Sequence, residues 1–84
     1  MRRKIIAGNW KLHKTTGEAI RLLNAIKVKT VNIRKTEIAV CPTYLSLAVA
    51  KECLKETNIG LGAQNLFWES SGAYTGEVSG PLLK

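Results

Sequence analysis

Residues 37–63 read EIAVCPTYLSLAVAKECLKETNIGLGA, a pattern that predicts two strands with a helix between them. Glu37 to Cys41 is a nearly continuous apolar run, as in a strand buried on both faces, and Pro42 ends it. Leu45 to Lys55 repeats apolar residues at helical spacing, and Ile59 to Ala63 forms the second strand. The helical stripe consists of Leu45, Ala48, Val49 and Cys53, widened by Leu47, Ala50 and Leu54. This order is typical of parallel strands joined by a right-handed crossover.

The residues before this stretch extend the same alternation. Lys4 to Ala7 is a short apolar run that stops at Gly8, which predicts a further buried strand. Thr15 and Glu18 have the spacing of a capping box, and a helix with one apolar face follows to about residue 28. That face consists of Ala19, Leu22, Leu23 and Ile26. A three-stranded parallel sheet has two open edges, so this β-α-β-α-β pattern predicts the opening portion of a larger α/β fold.

Composition limits the chain, residues 1–84, to one small domain with a net charge of +7. Some basic residues cluster at 2–4 and 27–35 and the rest are scattered, without interleaved aromatic residues, which favours solvated loops and argues against a nucleic-acid partner. No apolar run approaches the roughly 18 residues of a membrane span, and no signal-peptide run of about 7–15 apolar residues follows the N-terminus. These features predict a cytoplasmic protein, in which Cys41 and Cys53 are buried free thiols, with a disulfide as the alternative.

Polar residues follow the first strand, at the edge of the sheet where function gathers in α/β folds. Lys11 is either a cation that binds phosphate or stabilises an oxyanion, or a solvated surface lysine. Asn9 either orients a ligand or forms a turn. His13 is a general base in one interpretation and an ordinary surface residue in the other.

The third strand is followed by Gln64 and Asn65, which either bind a ligand or hydrogen-bond a barrel floor or a neighbouring subunit. Residues 65–78 form a long loop without periodicity, and Gly80 and Pro81 begin a third helix. The segment Gly72 to Glu77 has glycines near both ends, as a phosphate cradle would. It lacks the Gly-Lys-Ser/Thr ending of a P-loop, which favours a protrusion that docks on a partner. The aromatic residues of this loop are expected to need that partner's cover: Phe67, Trp68 and Tyr74.

Three motifs in order give the chain a resemblance to the triosephosphate isomerase family over all 84 residues. They are Ala7-Gly8-Asn9-Trp10-Lys11, Gly62-Ala63-Gln64-Asn65 and Gly72-Ala73-Tyr74-Thr75-Gly76-Glu77-Val78-Ser79. Leu12 stands where the family usually has Met, and Tyr74 where it usually has Phe. The resemblance implies an eight-stranded (β/α) barrel of about 250 residues, of which this chain supplies the opening part.

The resemblance also implies a function, the interconversion of dihydroxyacetone phosphate and glyceraldehyde 3-phosphate in glycolysis and gluconeogenesis, without cofactor or metal. It makes Lys11 the catalytic cation that attracts the phosphorylated triose and stabilises the enediolate, with Asn9 as the adjacent substrate-binding residue. It places Thr75, Gly76 and Glu77 in a loop that inserts into the partner of a homodimer. Gln64 and Asn65 are expected to support that interface.

The family's catalytic His and Glu lie later in the chain than these motifs, and His13 is not at the catalytic position. We therefore expect an N-terminal fragment of an isomerase that is inactive alone. The alternative is a non-catalytic truncated paralogue, or an interaction module that uses residues 72–77.

Overall fold

The architecture is seen in a computed structural model, which describes residues 2–84. The elements are β1 Lys4–Asn9, α1 Thr16–Thr30, β2 Thr36–Cys41, α2 Leu47–Cys53, β3 Ile59–Leu61 and α3 Gly80–Leu83. A 3-10 turn, Tyr44–Ser46, precedes α2. This order confirms the expected β-α-β-α-β pattern.

The sheet is parallel, in the order β1-β2-β3. Val40 of the central strand lies opposite Gly8 on one side and Leu61 on the other. Because the strands are parallel, their carboxyl ends meet at one edge of the sheet. That edge carries the polar segments that follow β1, β2 and β3.

Helix α1 begins with the predicted capping box. The Glu18 amide donates to Thr15 Oγ1 at 3.2 Å, and the Thr15 amide donates to Glu18 Oε1 at 2.9 Å. The hydrogen bond from the Thr15 amide holds the pKa of Glu18 below its ordinary value. The helix extends two residues beyond the expected end, to Thr30, whose hydroxyl donates to the Ile26 carbonyl at 2.8 Å.

The core lies between the helices and one face of the sheet. Its buried members are Leu23 of α1, Val40 of β2, Ala50 of α2, and Leu54 at the end of α2. The residues packed against them are Trp10, Ile26, Cys53 and Ile59. Helix α1 packs against α2, and Val40 is the buried residue that the sheet contributes to this core.

Strand β1 is not the buried strand that its apolar run predicts. Ile5 is 62% exposed and Ile6 is 64% exposed, and successive residues of a strand point to opposite faces. Both faces of β1 are therefore uncovered. The physical reason is position, since β1 pairs with β2 alone and the core is centred on Val40 of β2.

The stripe predicted for the second helix is also wrong in part. Leu45 is 85% exposed, and Ala48 is exposed as well. The α-helix begins only at Leu47, after the 3-10 turn, so the helical phase differs from that of a continuous helix from residue 45. Ala50 and Leu54, which were expected only to widen the stripe, are the residues that the core buries.

Smaller differences concern the third strand and the thiols. Strand β3 ends at Leu61, two residues earlier than predicted, although the Gly62 amide still donates to the Val40 carbonyl at 2.9 Å. Cys41 and Cys53 are free thiols, and they are half-buried instead of fully buried. Within residues 2–84, no helix is both long and apolar enough to cross a membrane.

Candidate functional site at the carboxyl ends of the strands

The segment that follows β1 is held against β2. The Trp10 amide donates to the Cys41 carbonyl at 3.1 Å, and the Trp10 side chain packs against the core. One residue later, the Lys11 amide donates to Asn9 Oδ1 at 2.9 Å. These contacts fix the backbone conformation of the segment that carries the Lys11 side chain.

Lys11 has a left-handed backbone, with φ at 55°. A non-glycine residue held in a sparsely populated region of this kind costs about 1–3 kcal/mol, and such residues cluster at functional sites. Position 11 is a lysine, and not the glycine or asparagine that adopts this conformation at lower cost. The conformation is therefore maintained by its neighbours.

Gln64 reaches Lys11 from the segment after β3. Its Nε2 donates to the Lys11 carbonyl at 2.8 Å and to the Cys41 carbonyl at 2.8 Å. A typical hydrogen bond contributes a net of about 0.5–1.5 kcal/mol, so the two bonds that Lys11 itself makes, with Gln64 and with Asn9, are of the size needed to offset its backbone cost. One side-chain amide thus joins the ends of all three strands.

The Lys11 side chain is exposed, and its charge is not neutralised within the described part of the chain. The only ion pair among residues 2–84 joins Lys55 to Glu52 at 3.1 Å, on α2 and the turn that follows it. An exposed, unpaired ammonium group at the carboxyl ends of parallel strands can bind an anion or stabilise negative charge.

Asn9 forms the turn that was one of its two expected roles. Its Oδ1 forms a local turn with the Lys11 amide, which is the ordinary behaviour of asparagine in turns. Its side-chain nitrogen makes no hydrogen bond among residues 2–84 and remains a donor for a ligand. His13 is exposed in the connection to α1 and forms no hydrogen bond in the same range.

Residues 65–79 form a loop that is ordered by its own contacts. The Phe67 amide donates to the Val78 carbonyl at 2.8 Å, and Ser79 Oγ donates to the Ser70 carbonyl at 2.8 Å. These bonds bring the two ends of the loop together and leave residues 72–77 exposed between them.

Aromatic rings inside this loop partly cover Phe67, which corrects the expectation of a needed partner for Phe67 alone, since Tyr74 is still 45% exposed. The Phe67 ring lies 4.7 Å from that of Tyr74 and 5.3 Å from that of Trp68, measured between centroids, and Phe67 is half-buried. Trp68 remains 84% exposed. Gly72 permits the stacking, since its φ is 137° and a Cβ there would lie 2.8 Å from the Tyr74 ring.

The structure brings Asn9, Lys11 and Gln64 together and places Thr75 on the separate loop. Thr75, Gly76 and Glu77 are exposed at its far end, and no hydrogen bond joins Thr75 to Asn9 or Lys11 within residues 2–84. Asn65 contributes its carbonyl oxygen to the hydroxyl of Tyr44. Sequence reasoning missed the link from Gln64 to Lys11, because the two residues are 53 positions apart.

Comparison with known proteins gives a consistent result along the whole chain. The profile of one family, triosephosphate isomerase, matches residues 4–84. A triosephosphate isomerase of Moorella thermoacetica is 50% identical over 84 residues, which are 100% of this chain and 33% of the relative. That of Caldanaerobacter subterraneus subsp. tengcongensis is 51% identical over 84 residues, covering 100% of this chain and 34% of the relative. The chain therefore spans about a third of the length of the curated relatives it matches.

A solved structure also resembles the fold of this chain. The crystal structure of triosephosphate isomerase from Bartonella henselae superposes with a TM-score of 0.88 at 38% sequence identity. The superposition covers 98% of this chain and 33% of that chain. It confirms the expected fold, in which three parallel strands and their helices form part of a (β/α) barrel.

Proposed function

The chain belongs to the triosephosphate isomerase family, and we propose that it supplies Lys11 and Asn9 to a site that interconverts dihydroxyacetone phosphate and glyceraldehyde 3-phosphate. The observation that carries the proposal is the exposed, unneutralised Lys11 at the carboxyl end of β1, held in a left-handed conformation. A left-handed backbone alone does not mark function, since Lys14 and Glu56 share it; what supports a role for Lys11 is that its peptide is also held by Asn9 and Gln64.

Lys11 would act on negative charge at two points of the reaction. The substrate carries a phosphate group, and proton removal next to a carbonyl places further negative charge on an oxygen as the enediolate forms. A cation about 4 Å from a unit negative charge gains about 4 kcal/mol at an effective dielectric constant of about 20. The part of this interaction that grows as the oxygen becomes charged lowers the reaction barrier.

Asn9 would assist by presenting its side-chain amide nitrogen beside Lys11. Its Oδ1 is occupied by the Lys11 amide, which fixes the orientation of the side chain and leaves the nitrogen as the outward donor. This uncharged N–H donor can hydrogen-bond an oxygen of the substrate without adding a second positive charge beside Lys11.

The proton transfers themselves need a base and an electrophile. The family's catalytic Glu and His lie outside the motifs found here, and His13 is the one histidine of this chain. We propose that the 84-residue chain is inactive alone, and that the reaction, in the cytoplasm, requires the barrel strands that its relatives possess beyond the matched third.

We further propose that residues 72–77 form the homodimer contact of the complete protein. The loop is ordered by its own hydrogen bonds and by the stacking of Phe67 on Tyr74, yet it leaves Trp68 84% exposed. A preorganised loop with an exposed aromatic residue at its base is suited to insertion into a partner, because less flexibility is lost on binding.

A full-length chimera tests the catalytic proposal. Residues 1–84 replace the matched segment of the Moorella thermoacetica relative, which is 50% identical to them. We expect the chimera to interconvert the two triose phosphates with kcat/KM within about tenfold of the parent enzyme, since Lys11 and Asn9 are present. A chimera that folds, by circular dichroism and sedimentation, but has no activity would favour the non-catalytic interaction module instead.

A further inference from the structure

We propose that Gln64 is a positioning residue that holds Lys11 in its functional backbone conformation. The inference rests on the proposed role of Lys11. It gives Gln64 a role within its own chain, whereas the resemblance to the family led us to expect Gln64 to support a subunit interface. The observation is the pair of hydrogen bonds from Gln64 Nε2 to the carbonyl oxygens of Lys11 and Cys41, each at 2.8 Å.

The chemistry of these bonds requires an amide at position 64. Both partners are backbone carbonyls, which can only accept, so the side chain must supply two N–H donors from one nitrogen. Glutamine does this without a charge. A glutamate of the same length would face two carbonyls with acceptors only, and methionine would offer no donor.

The Lys11 peptide is held from both sides. Its amide donates to Asn9 Oδ1, and its carbonyl accepts from Gln64 Nε2. The Cys41 carbonyl accepts from Gln64 and also from the Trp10 amide, which precedes Lys11. Asn9 and Gln64 thereby hold the peptides on either side of the Lys11 Cα, β2 holds the peptide before them, and these peptides set the direction in which the side chain leaves the backbone.

The path of the chain after β3 allows Gln64 to reach this point. Gly62 lies against Cys41, and a Cβ at position 62 would come within 3.1 Å of the Cys41 Sγ. The glycine therefore lets the segment after β3 pass close to the end of β2. Two residues later Gln64 extends across β2 to the segment after β1.

A merely structural role makes a different prediction from a positioning role. If Gln64 only ties the strand ends together, its removal lowers activity by the same factor whether or not Lys11 is present. If it acts through Lys11, the two substitutions are strongly non-additive. A double-mutant cycle separates the two roles.

The experiment uses the full-length chimera and its variants Gln64→Met, Lys11→Met and the double variant, with kcat and KM measured for dihydroxyacetone phosphate. Gln64→Met is expected to lower kcat/KM by about 10- to 100-fold, the scale of a small misplacement of a catalytic group. In the Lys11→Met background the same change is expected to have less than about a twofold effect. Asn24→Leu, which removes an exposed amide on α1, is the matched control and should leave kcat/KM within about twofold of the chimera.

Equal losses from Gln64→Met in both backgrounds would overturn the inference, as would full activity of Gln64→Met. Gln64→Glu, which keeps the side-chain length and loses both donors, replaces Gln64→Met if the latter does not fold. Failure of both variants to fold would assign Gln64 to the fold and contradict a positioning role. If Lys11→Met itself keeps its activity, the proposed function fails, and that result is distinct from a failure at Gln64 alone.

Discussion

The carbonyl oxygen of Lys11 accepts a hydrogen bond from Gln64 Nε2 at 2.8 Å, although 53 residues separate the two in sequence. The bond joins the segment after β1 to the segment after β3 across the end of β2. It links the residue with the strained backbone, φ 55°, to the side chain best placed to maintain it. The residues proposed to act in function thus lie together at one edge of the sheet.

The 84-residue chain alone is predicted to show no isomerase activity. A cation lowers the barrier to enediolate formation but does not remove the substrate proton, and Lys11 cannot replace the missing base and electrophile. A coupled assay on the purified chain measures this directly. Turnover above that of the Lys11→Ala variant of the same chain would contradict the prediction.

Replacing Thr75 with Arg is predicted to shift the chimera from dimer towards monomer. The substitution would place an unpaired charge in a buried contact, which costs more than most exposed substitutions. Sedimentation velocity across a concentration series measures the shift. Asn32→Arg, which adds the same charge at the exposed turn after α1, serves as the control.

Two results would argue against the intersubunit role of this loop. One is a Thr75→Arg variant that stays dimeric at every concentration. The other is a dimer of unchanged stability with weakened binding of phosphate ligands, which would favour the phosphate cradle.

Acidic pH is predicted to weaken the start of α1 through Glu18. The Thr15 amide lowers the pKa of Glu18 in the folded chain, so the stabilisation is present above the unfolded pKa of about 4.3 and is lost as the pH falls through the folded pKa. Glu18→Gln keeps an acceptor but does not titrate. The thermal midpoints of the chimera and this variant should therefore draw together as the pH falls below about 4.3, and coincide only below the lowered pKa of Glu18. Midpoints that fall in parallel at every pH would show that Glu18 has no such effect.

The sequence was sufficient for the local features of the fold. The apolar run around Val40 predicted strand β2, and Thr15 with Glu18 predicted the start of α1, because both signals lie within a few neighbouring residues. Exposure of Ile5 and Ile6 was not predictable in the same way. An apolar run shows that a strand can be buried, but burial depends on what lies against it in space.

The candidate site was predictable in its residues but not in its geometry. Position after a strand and the motif around Lys11 pointed to Asn9 and Lys11. Nothing in the sequence indicated a left-handed lysine, since the residues that favour this conformation are glycine and asparagine. The role of Gln64 depends on a contact between distant segments, which only the sheet order β1-β2-β3 brings together.

The central claim is that Lys11 acts on the negative charge of a phosphorylated substrate, and Lys11→Met in the chimera tests it most directly. Lys14→Met is the matched control, because Lys14 is also an exposed lysine with a left-handed backbone, φ 77°, three residues away. We predict that Lys11→Met lowers kcat/KM at least about 100-fold while the circular dichroism spectrum is unchanged, and that Lys14→Met stays within about threefold of the chimera. A Lys11→Met variant that also stays within about threefold would contradict the account.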